Sequence, residues 1–145
     1  MNKHGRISIE RIEQAISVIV PEFLNTPQCE CEPLSAELGA RVVVKVETIN
    51  PIRSFKGRGS DVYMSKVPAG SEVVCASAGN FGQAVAYSAR RRAVRATVFA
   101  ARNANPLKPE RMRSLGADVR LSGEDVEAAR DEARRVAGEG TGRLV

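Results

Sequence analysis

Between residues 72 and 137 short apolar runs alternate with longer helical patterns, and this alternation constrains the fold more than anything else in the chain. It predicts strands over 72–76, 94–101 and 117–121 and helices over 81–92, 106–115 and 124–137. A helix between two strands is a crossover, so the strands run parallel, the connections are right-handed and the helices cover the sheet. The expected class is α/β, a three-layer parallel sheet with helices on both faces. Punctuation agrees: Pro68-Ala69-Gly70 makes a turn, Pro106 and Pro109 suit the opening of a helix, and Gly116 suits its cap.

The first seventy residues are less regular. Ile9, Ile12, Ile16 and Ile19 recur at helical spacing after Ser8, an N-cap type, and Pro21 stops the pattern. Residues 25–33, with Thr26-Pro27, read as a loop, and 33–39 as a short helix closed by Gly39. A strand is expected over 41–48, then a loop carrying Lys56, then a helix from about 59 to 66. At the other end 138–142 read as a loop and Arg143-Leu144-Val145 as the start of another strand, so the chain is expected to be the front part of a longer protein.

Composition narrows the function classes. With 145 residues, 43% of them hydrophobic, the chain suffices for one domain of ordinary size with a core of its own. No apolar run approaches the ~20 residues that cross a bilayer, and Met1 to Arg6 lead into an amphipathic pattern, not a signal-peptide core. The expectation is a cytoplasmic protein with no membrane partner. Cys29, Cys31 and Cys75 are too few for a disulfide framework, and with His4 as the one histidine they do not build a four-ligand zinc site. The net charge of +5 is densest at Arg90-Arg91-Arg92 and Arg95. Those residues end a helical pattern, where cations complement the helix dipole, and aromatics at 4% are too sparse for a stacking surface. Nucleic acid is not an expected partner.

Two segments carry the chemistry. Ser54-Phe55-Lys56-Gly57-Arg58-Gly59 leaves the Lys56 amine little crowded, just past the turn at Asn50-Pro51. Ser77-Ala78-Gly79-Asn80-Phe81-Gly82-Gln83 joins a strand pattern to a helical one, so its amides gather at a helix N-terminus and suit an anion. Each has a plainer reading. Lys56 alone is a surface lysine, Phe55 a core residue, and the second segment an ordinary turn with Asn80 as cap. Neither a dinucleotide-binding glycine fingerprint nor a phosphate-binding Walker loop is present, and Ser77 lacks the nucleophile-elbow pattern of a serine hydrolase.

Taken together the segments resemble the fold-type II pyridoxal-phosphate enzymes, and within them the threonine/serine dehydratase branch. The resemblance spans about residues 26–140. It rests on Thr26-Pro27, Leu34-Ser35, Leu38-Gly39, Lys45-Val46-Glu47, Asn50-Pro51, the motif at 54–59, Ser77-Ala78-Gly79-Asn80 and Leu115-Gly116-Ala117 in that order. It implies a tryptophan-synthase-β-like fold with an incomplete large domain. Residues 1–58 would be the amino-terminal part of the large cofactor domain, 59–140 the small α/β domain and 141–145 the start of a return strand.

It also implies pyridoxal 5'-phosphate as cofactor, with Lys56 bonding to it covalently and, once displaced, taking the α-proton of substrate. Phe55 would lie near the cofactor ring and Asn80 would bond its 3-hydroxyl. Ser77, Ala78, Gly79, Asn80 and Phe81 would hold the substrate carboxylate through amides and the Ser77 hydroxyl. The implied reaction deaminates L-threonine or L-serine, a small hydroxy amino acid, to a 2-oxo acid and ammonia; a homo-oligomer of the complete protein stays open. Departures bear on the branch. Related racemases carry a second serine where Ala78 stands, cysteine synthases show Thr-Ser-Gly-Asn at this loop, threonine synthases carry Asp where Gly57 stands, and Phe81 replaces the histidine common in dehydratases. A glycine-rich phosphate loop and a late partner for the pyridine nitrogen are not found, so the chain is expected to be inactive alone. A β-replacing enzyme and a non-catalytic remnant acting as an interaction module are the alternatives.

Overall fold

The computed structural model describes residues 8–140 and 142–145; the opening Met1–Arg6 with His4, Ile7, and Thr141 lie outside the described residues. The chain begins with α1 (Ile9–Ala15), a 3-10 turn (Pro21–Phe23), β1 (Gln28–Glu30), α2 (Glu32–Leu38) and β2 (Val43–Lys45). Then α3 (Lys56–Met64) leads into β3 (Glu72–Ala76), α4 (Asn80–Arg91), β4 (Arg95–Ala100), α5 (Leu107–Ser114), β5 (Asp118–Leu121), α6 (Val126–Glu139) and β6 (Arg143–Leu144).

The alternating region forms one sheet in the order β5-β4-β3-β6, every neighbouring pair parallel. Side chains of successive strand residues point to opposite faces, and the core divides accordingly. Val73, Cys75, Ala96, Val98 and Val119 pack with Met64, Val85, Ala89 and Met112 of α3, α4 and α5. Val74 and Phe99 pack on the other side against Ala129 and Ala133 of α6. Each buried valine or methionine contributes about 1.5–3 kcal/mol, so burial on both faces holds the three layers together. The sheet ends at β6, where a Cβ on Gly142 would lie 2.7 Å from Val74 Cγ2; a glycine is what lets this strand come alongside β3.

A third cluster, Phe23, Ile52 and Ala84 with Ile19, Val20 and Tyr87 around it, fastens the amino-terminal segment to the outer face of α4. The Phe23 and Tyr87 rings meet edge to face with centroids 5.3 Å apart. A buried polar clamp reinforces it. The fully buried Asp61 carboxylate accepts from the Val20 amide at 2.8 Å and from Arg92 Nε at 3.1 Å, while Arg92 Nη2 donates to the Val18 carbonyl at 2.7 Å. A carboxylate so placed is tolerated because charge-assisted bonds replace its water.

Four local expectations are corrected. The expected loop at 25–33 contains β1, which pairs antiparallel with β2 through Gln28↔Lys45, Cys29↔Val44 and Glu30↔Val43. All three β1 residues are exposed, so no alternation of apolar and polar residues marked the strand. The strand expected over 41–48 contracts to Val43–Lys45. α1 is capped by the Ser8 hydroxyl, which accepts from the Arg11 amide, but it stops at Ala15, short of Pro21. Ile9, Ile12 and Ile16 are 70%, 58% and 58% exposed, and without burial of that stripe little favours further turns. Finally, the helix expected from 59 starts at Lys56.

Candidate active site

Lys56 is the first residue of α3, not a loop residue, and a buried asparagine puts it there. Asn50 is 4% exposed. Its Oδ1 accepts from the amides of Ile52 and Ser54, both at 3.2 Å, and its Nδ2 donates to the Ser54 carbonyl at 3.0 Å and to Glu47 Oε2 at 2.9 Å. One side chain thus ties both ends of the 50–54 turn, and the Ser54 Oγ accepts from the Lys56 amide at 3.3 Å. Glu47 extends the network. Its Oε1 accepts from Arg58 Nη1 at 2.7 Å and Thr26 Oγ1 at 3.2 Å, and the same Arg58 nitrogen donates to the Phe23 carbonyl at 3.0 Å. Burial raises the Glu47 pKa, but the Arg58 guanidinium and the Thr26 and Asn50 donors outweigh it, leaving the carboxyl below the ordinary range.

The Lys56 Nζ lies 5.4 Å from the centroid of the Phe55 ring. Phe55 is 60% exposed, so it presents an aromatic face to solvent and is not core. Gly57, next along, is buried against the Phe23 ring, where a Cβ would come within 2.5 Å of Cε1 and Cζ.

The second segment runs off the end of β3 into α4. The Ser77 amide donates to the Phe99 carbonyl at 2.9 Å, extending the sheet pairing, and Ser77 Oγ accepts from the amides of Gly79 at 3.2 Å and Gly82 at 2.9 Å. These bonds spend the Ser77 and Gly79 amides of the expected carboxylate nest, and the Ser77 hydroxyl hydrogen has no acceptor among the described residues. The amides of Ala78, Asn80 and Phe81 have no hydrogen-bond partner among the described residues. They are donors at the N-terminus of a twelve-residue helix, aimed where an anion is favoured. The N-cap is Gly79, not Asn80. The Phe81 ring packs against the core, so its amide rather than its side chain is what it offers here. A Cβ on Gly82 would lie 2.8 Å from Met112 Sδ, so glycine there allows α4 to sit close to α5.

No hydrogen bond joins Lys56 to the Ser77–Phe81 segment among the described residues; α5 links the two. Lys108 Nζ donates to Asn80 Oδ1 at 3.3 Å, and Arg111 Nη2 donates to the Pro51 carbonyl at 3.0 Å, in the turn that leads to Lys56. Residues three apart lie on one face of a helix, so a single face of α5 holds both segments. Sequence reasoning gave no role to Asn50, Glu47, Arg58, Lys108 or Arg111. Asn50-Pro51 read as a turn and Arg58 as part of a motif, while nothing local to Lys108 or Arg111 signals their targets, 28 and 60 residues away.

Fold and site define an α/β protein with a helix-starting lysine beside an exposed aromatic face at the start of α3 and a nest of free amide donors at the start of α4, the helix packed against α3. Residues 19–145 match the pyridoxal-phosphate dependent enzyme family, and the chain belongs to it. It is 37% identical over 118 residues to the mitochondrial threonine dehydratase of Schizosaccharomyces pombe, covering 79% of this chain and 20% of that one. It is 34% identical over 119 residues to human L-serine dehydratase/L-threonine deaminase, covering 81% of this chain and 36% of that one. Among solved structures it resembles the processed form of threonine deaminase isoform 2 from Solanum lycopersicum, with a TM-score of 0.79 and 26% identity over 99% of this chain and 42% of that one. Maize serine racemase gives 0.80 and 27% over 95% and 43%. The chain spans less than half the length of each. The architecture is that of the fold-type II enzymes, as the sequence motifs implied.

Members of the family depend on pyridoxal phosphate, and the residues present fit it in part. An uncrowded primary amine suits its aldehyde, the exposed Phe55 face suits its ring, and an amide suits its ring oxygen.

Proposed function

We propose that the complete polypeptide deaminates L-threonine or L-serine to a 2-oxo acid and ammonia, and that the residues described here supply the covalent lysine and the substrate-carboxylate nest. The observation that carries this reading is the set of amides at Ala78, Asn80 and Phe81 with no hydrogen-bond partner among the described residues, beside the Ser77 hydroxyl at the α4 N-terminus. The dehydratase and deaminase names of the similar proteins support the choice of reaction.

The bound cofactor supplies an electron sink for the carbon losing its proton. Lys56 Nζ would hold that cofactor and, once released from it as a free amine, would accept the α-proton. Donors at 77, 78, 80 and 81 fix the substrate carboxylate, which sets the α-carbon at a constant distance from the amine. Phe55 keeps one face of the site apolar. Asn50, Glu47 and Arg58 keep the start of α3 from shifting. Ala78 places no hydroxyl in the nest, which supports elimination over racemisation.

We place the boundary between the large and small domains near residue 58, since the β1–β2 pair forms a sheet separate from the four-stranded one. Residues 59–140 then form the small domain, with the last strand pairing onto β3. No helix of the described residues is long and apolar enough to cross a membrane, and our reading is a cytoplasmic enzyme. The test is borohydride reduction of the cofactor-loaded polypeptide, peptide mapping, and an assay of 2-oxobutanoate from threonine. Label on Lys56 together with turnover is the expected result; label on Lys45 or Lys66 overturns the assignment, and label on Lys56 with neither threonine nor serine consumed overturns the reaction.

A further inference from the structure

The geometry points to Lys108 as a positioning residue that turns the Asn80 amide and places a positive charge behind the oxygen that amide binds; this rests on the reading of Asn80 as the partner of the cofactor's ring oxygen. A lysine ammonium has three donors and no lone pair, so the Asn80 atom 3.3 Å from Lys108 Nζ is the carbonyl oxygen. Gln83 Nε2, on the next turn of α4, donates to the same oxygen at 3.4 Å. Both donors hold the carbonyl end of the amide, and the two N–H bonds of Nδ2 are left to point elsewhere. An asparagine amide turns end for end with little change in shape. Without these donors either end can face a ligand, and an oxygen presented to an oxygen anion repels it.

The charge adds a second effect. Among the described residues no carboxylate pairs with Lys108. Its field therefore reaches across one amide to the ligand oxygen, weakened by solvent at this exposed contact but not by a counter-ion. Arg111, three residues on, ties α5 to the Pro51 carbonyl at 3.0 Å and so sets the helix that carries the ammonium. A cation held there favours the deprotonated form of a group bound at Asn80, and so lowers the pH at which the bound cofactor changes its protonation.

The test follows the absorption of the cofactor bound to the complete polypeptide as a function of pH, in the wild type, Lys108→Met and Lys108→Arg. In Lys108→Met the midpoint moves upward by about one pH unit, a tenfold change in the proton equilibrium, as expected for a unit charge removed within several ångströms. In Lys108→Arg, which keeps charge and donors, it stays within about threefold of the wild type. A midpoint in Lys108→Met within that same margin, or an arginine variant shifted as far as the methionine one, overturns the inference. Should circular dichroism show that Lys108→Met is unfolded, Lys108→Gln is read by the same two criteria. Borohydride label on Lys56 of the wild type separates the cases: its absence defeats the proposed function, while its presence with an unshifted midpoint defeats only the role of Lys108.

Discussion

Two glycines in the first turns of α3 are predicted to respond in opposite directions to alanine. Gly57 and Gly59 share a helix, and on propensity alone each replacement gains about 0.8–1 kcal/mol. Their surroundings differ. A Cβ at Gly57 meets Phe23 Cε1 and Cζ at 2.5 Å and Cδ1 at 2.8 Å, whereas at Gly59 nothing lies within 4 Å. Phe23 is 1% exposed, set edge to face on Tyr87 and enclosed by Ile52 and Ala84, so its ring has no free direction in which to withdraw. Overpacking of this kind costs about 1–3 kcal/mol, which outweighs the propensity gain and at the middle of that range leaves Gly57→Ala about 1 kcal/mol less stable than the wild type. Gly59→Ala is about 0.5–1 kcal/mol more stable. The two differ by about 2 kcal/mol, or roughly 1 M in urea midpoint at an ordinary slope. Urea unfolding followed by circular dichroism measures it, with Phe23→Leu added to Gly57→Ala as a relief of the contact. Equal midpoints for the two single variants would refute the packing argument, as would a Phe23→Leu background in which Gly57→Ala costs as much as before.

Three further outcomes follow from the same structure. Asn50→Ala removes three side-chain bonds within the 50–54 turn and one to Glu47 and strands the Ile52 and Ser54 amides, at a cost of about 2–4 kcal/mol; amide exchange over residues 52–56 should quicken, and unchanged protection would dismiss Asn50 as the organiser of the Lys56 turn. Because the folded-state pKa of Glu47 is lowered, its stabilisation is present in full above the ordinary glutamate value of about 4.3 and is lost as pH falls through the lower folded value; Glu47→Gln should flatten the stability profile in that acid window and nowhere else. Burial pushes the Cys75 thiol up to about 12, while Cys29 is exposed and Cys31 half-buried, so a thiol reagent at pH 8 should modify the latter two in the native protein and reach Cys75 on unfolding; rapid native labelling of Cys75 would contradict its place in the core.

The alternating strands and helices from 72 onward were legible because their signals are local. Val73 to Ala76, Ala96 to Ala100 and the alanine pattern of α6 each carry the period of their own element, and short crossovers leave one handedness. As candidates, Lys56 and the Ser77–Phe81 segment could also be picked out, since an amine flanked by glycine and a strand-to-helix turn are consecutive in the chain. The amino-terminal part was not. β1 has no buried residue, so its strand exists through pairing with β2 and leaves no pattern to read, and the isoleucine stripe of α1 promised a longer helix than its unburied face sustains. Within the site, the start of α3 depends on the Asn50 side chain, and the loss of the Gly79 amide to Ser77 Oγ depends on how the turn closes. The Lys108 bond to Asn80 and the Arg111 bond to Pro51 join residues far apart in the chain, and long polar side chains choose their partners only after the core has set α5 against α4. Periodicity and turn chemistry are properties of neighbours in sequence; the direction of a buried hydrogen bond is a property of neighbours in space, which packing alone creates.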